Sequence, residues 1–206
     1  HTRLASVSWA SEMCIRDRLK MEKNIIIAGF GGQGVLLAGE VLANAFMFDD
    51  KNVTWYPSYG AEMRGGTVNC EIVMSDEEVS SVNKSDADFV IALNQASFDR
   101  FLPKIKKGGW MIANSTLTKE VKPRTDINYV FAPITKLAEN VGNIKMANIL
   151  ALGILSKASK LVSTESVIKA MEAVVPPNKK HLLPLNIEAL KIGYEYDFCL
   201  LYTSDA

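Results

Sequence analysis

The chain has 206 residues, 23 Lys+Arg against 23 Asp+Glu, and 48% hydrophobic against 22% charged residues. That is the make-up of one globular domain with a full core, not of a disordered chain. Zero net charge argues against a broad phosphate-backbone surface, and no apolar run reaches the ~20 residues of a membrane span.

Residues 1–20 carry no clear periodicity, and Ser11-Glu12-Met13-Cys14-Ile15-Arg16-Asp17-Arg18 looks like translated sequencing-adapter sequence. The tail over 197–206 reads the same way. Glu12, Asp17 and the lack of an apolar stretch argue against a targeting peptide. Residues 1–20 and 197–206 are therefore expected to be non-native flanks of one domain over 21–196. Without them Cys70 and His181 are the one Cys and one His left. An iron–sulfur cluster takes about four thiolates, so any redox centre is expected on another chain.

Asn24-Ile25-Ile26-Ile27-Ala28-Gly29 is a short apolar run ending in glycine, which reads as a buried parallel strand. Residues 35–48 follow as a helix that is apolar nearly all round and must be covered on more than one side. A second strand is expected over 53–56, ended by Pro57-Ser58-Tyr59-Gly60, and a third, rich in β-branched residues, over 67–74. A fourth over 89–93 precedes a short helix around 97–102. The fifth, over 110–113, follows a Gly108-Gly109 turn, and the sixth, over 129–131, stops at Ala132-Pro133. Helices over 146–155, 165–174 and 186–194 close the chain, punctuated by Pro176-Pro177-Asn178 and Pro184. Strands alternating with helices imply one α/β domain with a mainly parallel sheet and a helical C-terminal third.

Gly29-Phe30-Gly31-Gly32-Gln33-Gly34 fits G-x-G-x-x-G between a strand and a helix. Gly29 would permit a tight turn, Gly31 would let backbone approach a ligand, and Gly34 would allow close helix–strand contact. The free N–H groups at the start of the helix make an anion site. The second half of a dinucleotide fingerprint is absent: the second strand ends Trp55-Tyr56-Pro57-Ser58, with no acid for a ribose hydroxyl and no Arg for a 2′-phosphate. Asp49 and Asp50 lie before that strand, at its wrong end. A stand-alone NAD(P)-binding Rossmann oxidoreductase is thus the alternative reading, and a loop that only seats the helix competes with it.

A second segment, Ser58-Tyr59-Gly60-Ala61-Glu62-Met63-Arg64-Gly65-Gly66-Thr67, gathers an aromatic hydroxyl, an acid, a base and three glycines where it leaves a strand end. Open α/β sheets bind ligands in that crevice. Together with Gly29 to Gly34, Ala92-Leu93-Asn94-Gln95, residues 148–155 and residues 186–194, it makes the chain resemble the gamma subunit of 2-oxoacid:ferredoxin oxidoreductases, of the 2-oxoglutarate or branched-chain type. The likeness runs in order over 21–196.

The resemblance implies a Rossmann-like three-layer domain in a cytoplasmic, multi-subunit enzyme of anaerobic metabolism. Such an enzyme oxidatively decarboxylates a 2-oxoacid, joins the acyl group to coenzyme A and reduces ferredoxin. It implies thiamine diphosphate, Mg2+ and iron–sulfur clusters held by alpha, beta and ferredoxin-like partner subunits. None is held firmly by this chain, which carries no catalytic residue or metal and is inactive alone. Carried over residue by residue, Gly31, Gly32, Gln33 and Gly34 would form an N–H cradle, with Gly29 counted beside them among the cofactor-binding residues. Ser58, Tyr59, Gly60, Glu62, Arg64, Gly65 and Gly66 would face partner subunits or coenzyme A phosphates, and Asn94 and Gln95 would line the same crevice. Arg64 serves either as a fork to phosphate or as an ion pair to a partner carboxylate. The second is favoured, because a non-catalytic chain must bury surface on its partners.

The remaining polar features read as structural. Cys70 is expected to be an inert core thiol, and His181 a solvated residue before the last helix. Lys104-Ile105-Lys106-Lys107 reads as a helix-end charge cluster. Asp86 and Asp88 are placed at the amino end of the fourth strand, away from the crevice.

Overall fold

The computed structural model describes residues 21–59, 66–77 and 86–198. Along them run β1 (Glu22–Phe30), α1 (Val35–Phe48), β2 (Asn52–Tyr59), β3 (Thr67–Ser75), β4 (Ala87–Ala92), α2 (Gln95–Phe101), β5 (Ile105–Asn114) and β6 (Asn128–Ala132). Four helices follow: α3 (Ile134–Asn140), α4 (Ala147–Ser159), α5 (Thr164–Val174) and α6 (Leu183–Glu195). The strands form one sheet in the order β2-β3-β1-β4-β5-β6. Parallel pairing joins β1, β4, β5 and β6, whereas β3 runs antiparallel to both β1 and β2. Because β3 alone is reversed, β2 points the same way as β1, and the sheet is mainly parallel as expected.

The alternation of side chains along each strand sorts the core into two layers. Ile25, Ile27, Cys70, Ile72, Met74, Ile91, Ile112 and Val130 face one side, packed with α1, α4, α5 and α6. Ile26, Ala28, Val90, Ala92, Met111 and Ala113 face the other, under Phe98 and Phe101 of α2. Each fully buried Ile or Leu is worth about 1.5–3 kcal/mol relative to exposure, so the thicker layer holds most of the stabilisation. Helices on both faces give the three-layer architecture, and the last third is helical.

Within the thick layer two close approaches set the helix positions. A Cβ on Gly39 in α1 would collide with Cys70 Sγ and lie 2.7 Å from Trp55 Nε1, so glycine lets α1 press onto β3 and β2. Between α4 and α6 the contact is backbone to backbone. A Cβ on Gly153 would strike the carbonyl of Leu190, and one on Gly193 would strike the carbonyl of Leu150.

Several boundaries differ from the sequence expectation. The second strand runs through Pro57 to Tyr59 instead of stopping at Pro57. Because β2 is an edge strand, a residue without an N–H is tolerated there. Gly108 and Gly109 lie inside β5 rather than in a turn before it. The register passes from Ala87↔Ile105 to Phe89↔Trp110, so the extra residues of β5 bulge out at these glycines.

The same bulge undoes the helix-end reading of the lysines. Lys104 closes a short 3-10 turn and Lys106 lies in β5, donating to Asp88 Oδ2 at 2.9 Å. Asp88 falls within β4, near its amino end, where it also accepts from Lys23 Nζ at 3.2 Å and from the Asn24 N–H at 2.9 Å. Helix α3 was not expected; it begins directly after Pro133, where the sequence suggested only a strand stop. Cys70 is fully buried, and burial pushes its thiol up to about 12. That is the inert thiol expected.

Candidate functional site

The carboxyl ends of β1, β4, β5 and β6 open on one side of the sheet, and the glycine loop sits there between β1 and α1. Gly34 is the N-cap of α1 with φ +73°, and Gly32 has φ +96°; both are left-handed conformations that favour glycine. The first intrahelical bond is Ala38 N–H to Gly34 O at 3.0 Å. The amides of Val35, Leu36 and Leu37 precede it, no side-chain cap meets them, and the first turn holds no acidic residue. The start of α1 is thus positively polarised.

The second glycine segment meets this loop at one described point. Gly31 donates its N–H to Gly66 O at 3.1 Å, one step beyond the Phe30↔Thr67 pair that ends the β1–β3 ladder. Ser58 and Tyr59 end β2, opposite Asn69 and Val68 of β3. They stand on the far side of β3 from the loop, about 10 Å away at ordinary strand spacing. Gly60, Glu62, Arg64 and Gly65 lie outside the described residues.

The remaining polar candidates are held by the protein itself. Gln33 folds back over its own loop: Oε1 accepts the Phe30 N–H at 2.6 Å and Asn94 Nδ2 at 3.2 Å, and Nε2 donates to Leu93 O at 3.4 Å. Asn94 caps α2 by accepting the Ser97 N–H at 2.8 Å, which starts that helix earlier than expected. Gln95 turns away, with Nε2 donating to Asp99 and Oε1 accepting the Lys119 N–H, both at 2.8 Å. Gln33 and Asn94 therefore come together as fasteners of the loop, with Gln95 outside their cluster.

Two residues that sequence reasoning missed complete this set. Asn114, 1% exposed at the end of β5, donates to Leu93 O at 3.2 Å and Thr135 Oγ1 at 2.8 Å, and accepts the Thr135 N–H. Asn148 in the first turn of α4 donates to Gly34 O at 3.0 Å. The signal was present: Ala113-Asn114 repeats the apolar-then-Asn strand ending of Leu93-Asn94, and Asn148 is the one amide side chain in α4, ahead of the apolar run 149–155.

Four large apolar side chains stay exposed at this end: Phe30 39%, Leu37 37%, Leu117 47% and Ile144 52%. The arrangement therefore offers an amide-lined, positively polarised rim beside exposed apolar surface. That suits an anionic group or a protein partner. Among the described residues no titratable side chain takes part in the amide set. Among the described residues no group of three or more His, Cys, Asp or Glu is placed to hold a metal ion.

The topology also removes the ribose partner of a dinucleotide. In that fingerprint the strand after the first helix lies beside β1; here reversed β3 stands between them.

Comparison with known proteins agrees. The family model for pyruvate ferredoxin/flavodoxin oxidoreductases matches residues 24–196. The chain is 36% identical over 183 residues to 2-oxoglutarate synthase subunit KorC of Methanocaldococcus jannaschii, covering 87% of this chain and 96% of that one. It is 31% identical to ketoisovalerate oxidoreductase subunit VorA of Methanothermobacter marburgensis, covering 85% of this chain but 36% of that longer protein. Among solved structures, the keto/oxoacid ferredoxin oxidoreductase gamma subunit of Geobacter sulfurreducens superposes with TM-score 0.73 at 32% identity, covering 84% and 96% of the two chains. All three are named as enzyme subunits, the Geobacter one of a ferredoxin oxidoreductase, and they do not support the stand-alone NAD(P) alternative.

Proposed function

The chain belongs to the pyruvate ferredoxin/flavodoxin oxidoreductase family, as a gamma subunit of the 2-oxoacid:ferredoxin oxidoreductases, and from that premise we propose that it shapes the subunit interface and the coenzyme A side of a shared active site. The complete reaction joins the acyl carbon of a 2-oxoacid to the coenzyme A sulfur. The carboxylate leaves as CO2, the thiol proton is released, and the electron pair of the broken C–C bond passes to ferredoxin. Alpha and beta subunits with bound thiamine diphosphate and Mg2+, and a ferredoxin-like subunit with iron–sulfur clusters, supply the carbanion and electron chemistry.

This chain's own part is to bind and orient. The observation that carries the reading is the Gly31–Gly66 hydrogen bond. It fixes the end of the second glycine segment against the polarised start of α1, beside exposed Phe30 and Leu37. A coenzyme A phosphate meets the amides of Gly32, Gly34 and Val35 there, while the apolar rim and Arg64 engage the partner subunits. The relatives' names favour 2-oxoglutarate or a branched-chain 2-oxoacid as substrate. We place the complex in the cytoplasm; among the described residues no helix is long and apolar enough to cross a membrane.

The test is affinity isolation of the tagged chain from its anaerobic extract. Co-purification of thiamine-binding subunits with coenzyme A-dependent ferredoxin reduction is expected; recovery of the chain alone with bound NAD(P)H refutes the reading. In the same complex Arg64→Ala is expected to weaken assembly. An intact complex with a raised KM for coenzyme A would instead put Arg64 on the cofactor.

A further inference from the structure

Asn148 is 3% exposed and lies 114 positions beyond the residue it holds. Its amide orientation is fixed by its partners: Oδ1 accepts the Ile149 N–H at 2.9 Å, so Nδ2 must face Gly34 O at 3.0 Å. That same carbonyl accepts the Ala38 N–H at 3.0 Å. One oxygen thus joins the first turn of α1 to the first turn of α4. The fit is close on the other side too, since a Cβ on Gly34 would lie 2.5 Å from Asn148 Nδ2 and 3.0 Å from its Cγ.

The anchor behind Asn148 is stiff. Helix α4 is locked to α6 through Gly153 and Gly193, where the two backbones touch. The residue after α6 is tied down as well: Lys157 Nζ of α4 donates to Tyr196 O at 2.7 Å, and Tyr196 Oη donates to Phe131 O at 3.3 Å. The glycine loop is therefore held from two directions. Gln33 and Asn114 both donate to Leu93 O, Asn94 donates to Gln33 Oε1, and Asn148 secures the helical side of the loop.

We propose that Asn148 is a positioning residue for the glycine loop, setting the direction of the Gly32, Gly34 and Val35 amides and thereby the grip of the assembled enzyme on coenzyme A. This rests on the reading that those amides face coenzyme A. Asn148→Asp separates the two ends of the side chain. A carboxylate keeps the acceptor for Ile149 and suits the α4 N-terminus, but it presents an oxygen to the Gly34 carbonyl and loses that bond.

The experiment uses the complete complex with Asn148→Asp, Asn148→Ala and, as a direct probe of the loop, Gly32→Ala. The expected result for both Asn148 variants is a KM for coenzyme A raised about tenfold. The KM for the 2-oxoacid, the rate at saturating coenzyme A and the size of the complex stay as in wild type. If Gly32→Ala raises the coenzyme A KM while both Asn148 variants leave it alone, the positioning role is wrong and the loop reading stands. If none of the three moves it, the loop does not face coenzyme A and both fall. Should a variant destabilise the chain, Gly34→Ala is compared with and without Asn148→Ala. Relief of the Gly34→Ala damage by the second substitution supports the contact, and additivity overturns it.

Discussion

Gly193→Ala gives the sharpest check on the fold. In an exposed helix, replacing glycine by alanine stabilises by about 1 kcal/mol, because the unfolded chain loses freedom and the helix gains a better residue. At Gly193 the new methyl would occupy the space of the Leu150 carbonyl, 2.9 Å from its carbon and 3.2 Å from its Cα. Those atoms are α4 backbone, which no rotamer change can move. Relief requires α6 to slide or lift, opening contacts around Leu150, Ala189 and Leu190, all at most 1% exposed. Overpacking of this kind costs about 1–3 kcal/mol where side chains can yield. With backbone on one side the upper end applies, leaving a net loss of about 2 kcal/mol or more after the propensity gain. For a domain of this length that lowers Tm by about 4–8 °C. Thermal and urea denaturation of the full chain measure it, with exposed Lys191→Ala as a control expected within about 0.5 kcal/mol. A Gly193→Ala protein as stable as wild type, or more so, would mean that α4 and α6 do not touch as described.

Two further predictions concern pH. At Asp88 burial opposes ionisation, but the Asn24 N–H and the ammonium groups of Lys106 and Lys23 outweigh it and hold the carboxyl below its ordinary range. The resulting stability is present above the unfolded-state value and lost as pH falls through the folded one. Asp88→Asn should therefore destabilise near neutral pH and leave a flatter acid limb in Tm against pH; an unchanged limb contradicts the ion cluster. Glu71 behaves oppositely: burial raises its carboxyl above the ordinary range against the pull of Lys104, and Oε2 has no hydrogen-bond partner among the described residues. Its penalty grows as pH rises from the unfolded-state value through the folded one. Glu71→Gln should gain Tm relative to wild type on going from pH 4 to pH 8, and a difference that does not depend on pH would refute the assignment.

Local patterning carried the architecture because each buried strand is a short apolar run flanked by turn residues. The helix over 35–48 was legible to the residue, since glycine precedes it and Asp49-Asp50 follows. The reversal of β3 was not legible, because nothing in its β-branched residues encodes the direction of its neighbours. Pro57 misled because a proline stops a central strand but not an edge one, and position in the sheet is a tertiary property. At the site, the spacing marked the loop but misplaced its turn: positive φ falls at Gly32 and Gly34, whereas Gly29, given the tight turn, is still in β1. The fasteners were only half found: Gln33 and Asn94 adjoin the motif, whereas Asn114 and Asn148 reach it through pairings across the fold.

The tie between Gly34 and Asn148 also bears on synthesis. The loop leaves the ribosome early, but its shape depends on a helix made 114 residues later and steadied only once Gly193 has appeared. At about 5–20 residues per second, the glycine loop waits on the order of ten seconds without its second anchor. During that interval the exposed Phe30 and Leu37 have no finished surface to belong to, so a subunit that binds this end is best served by arriving after translation is complete.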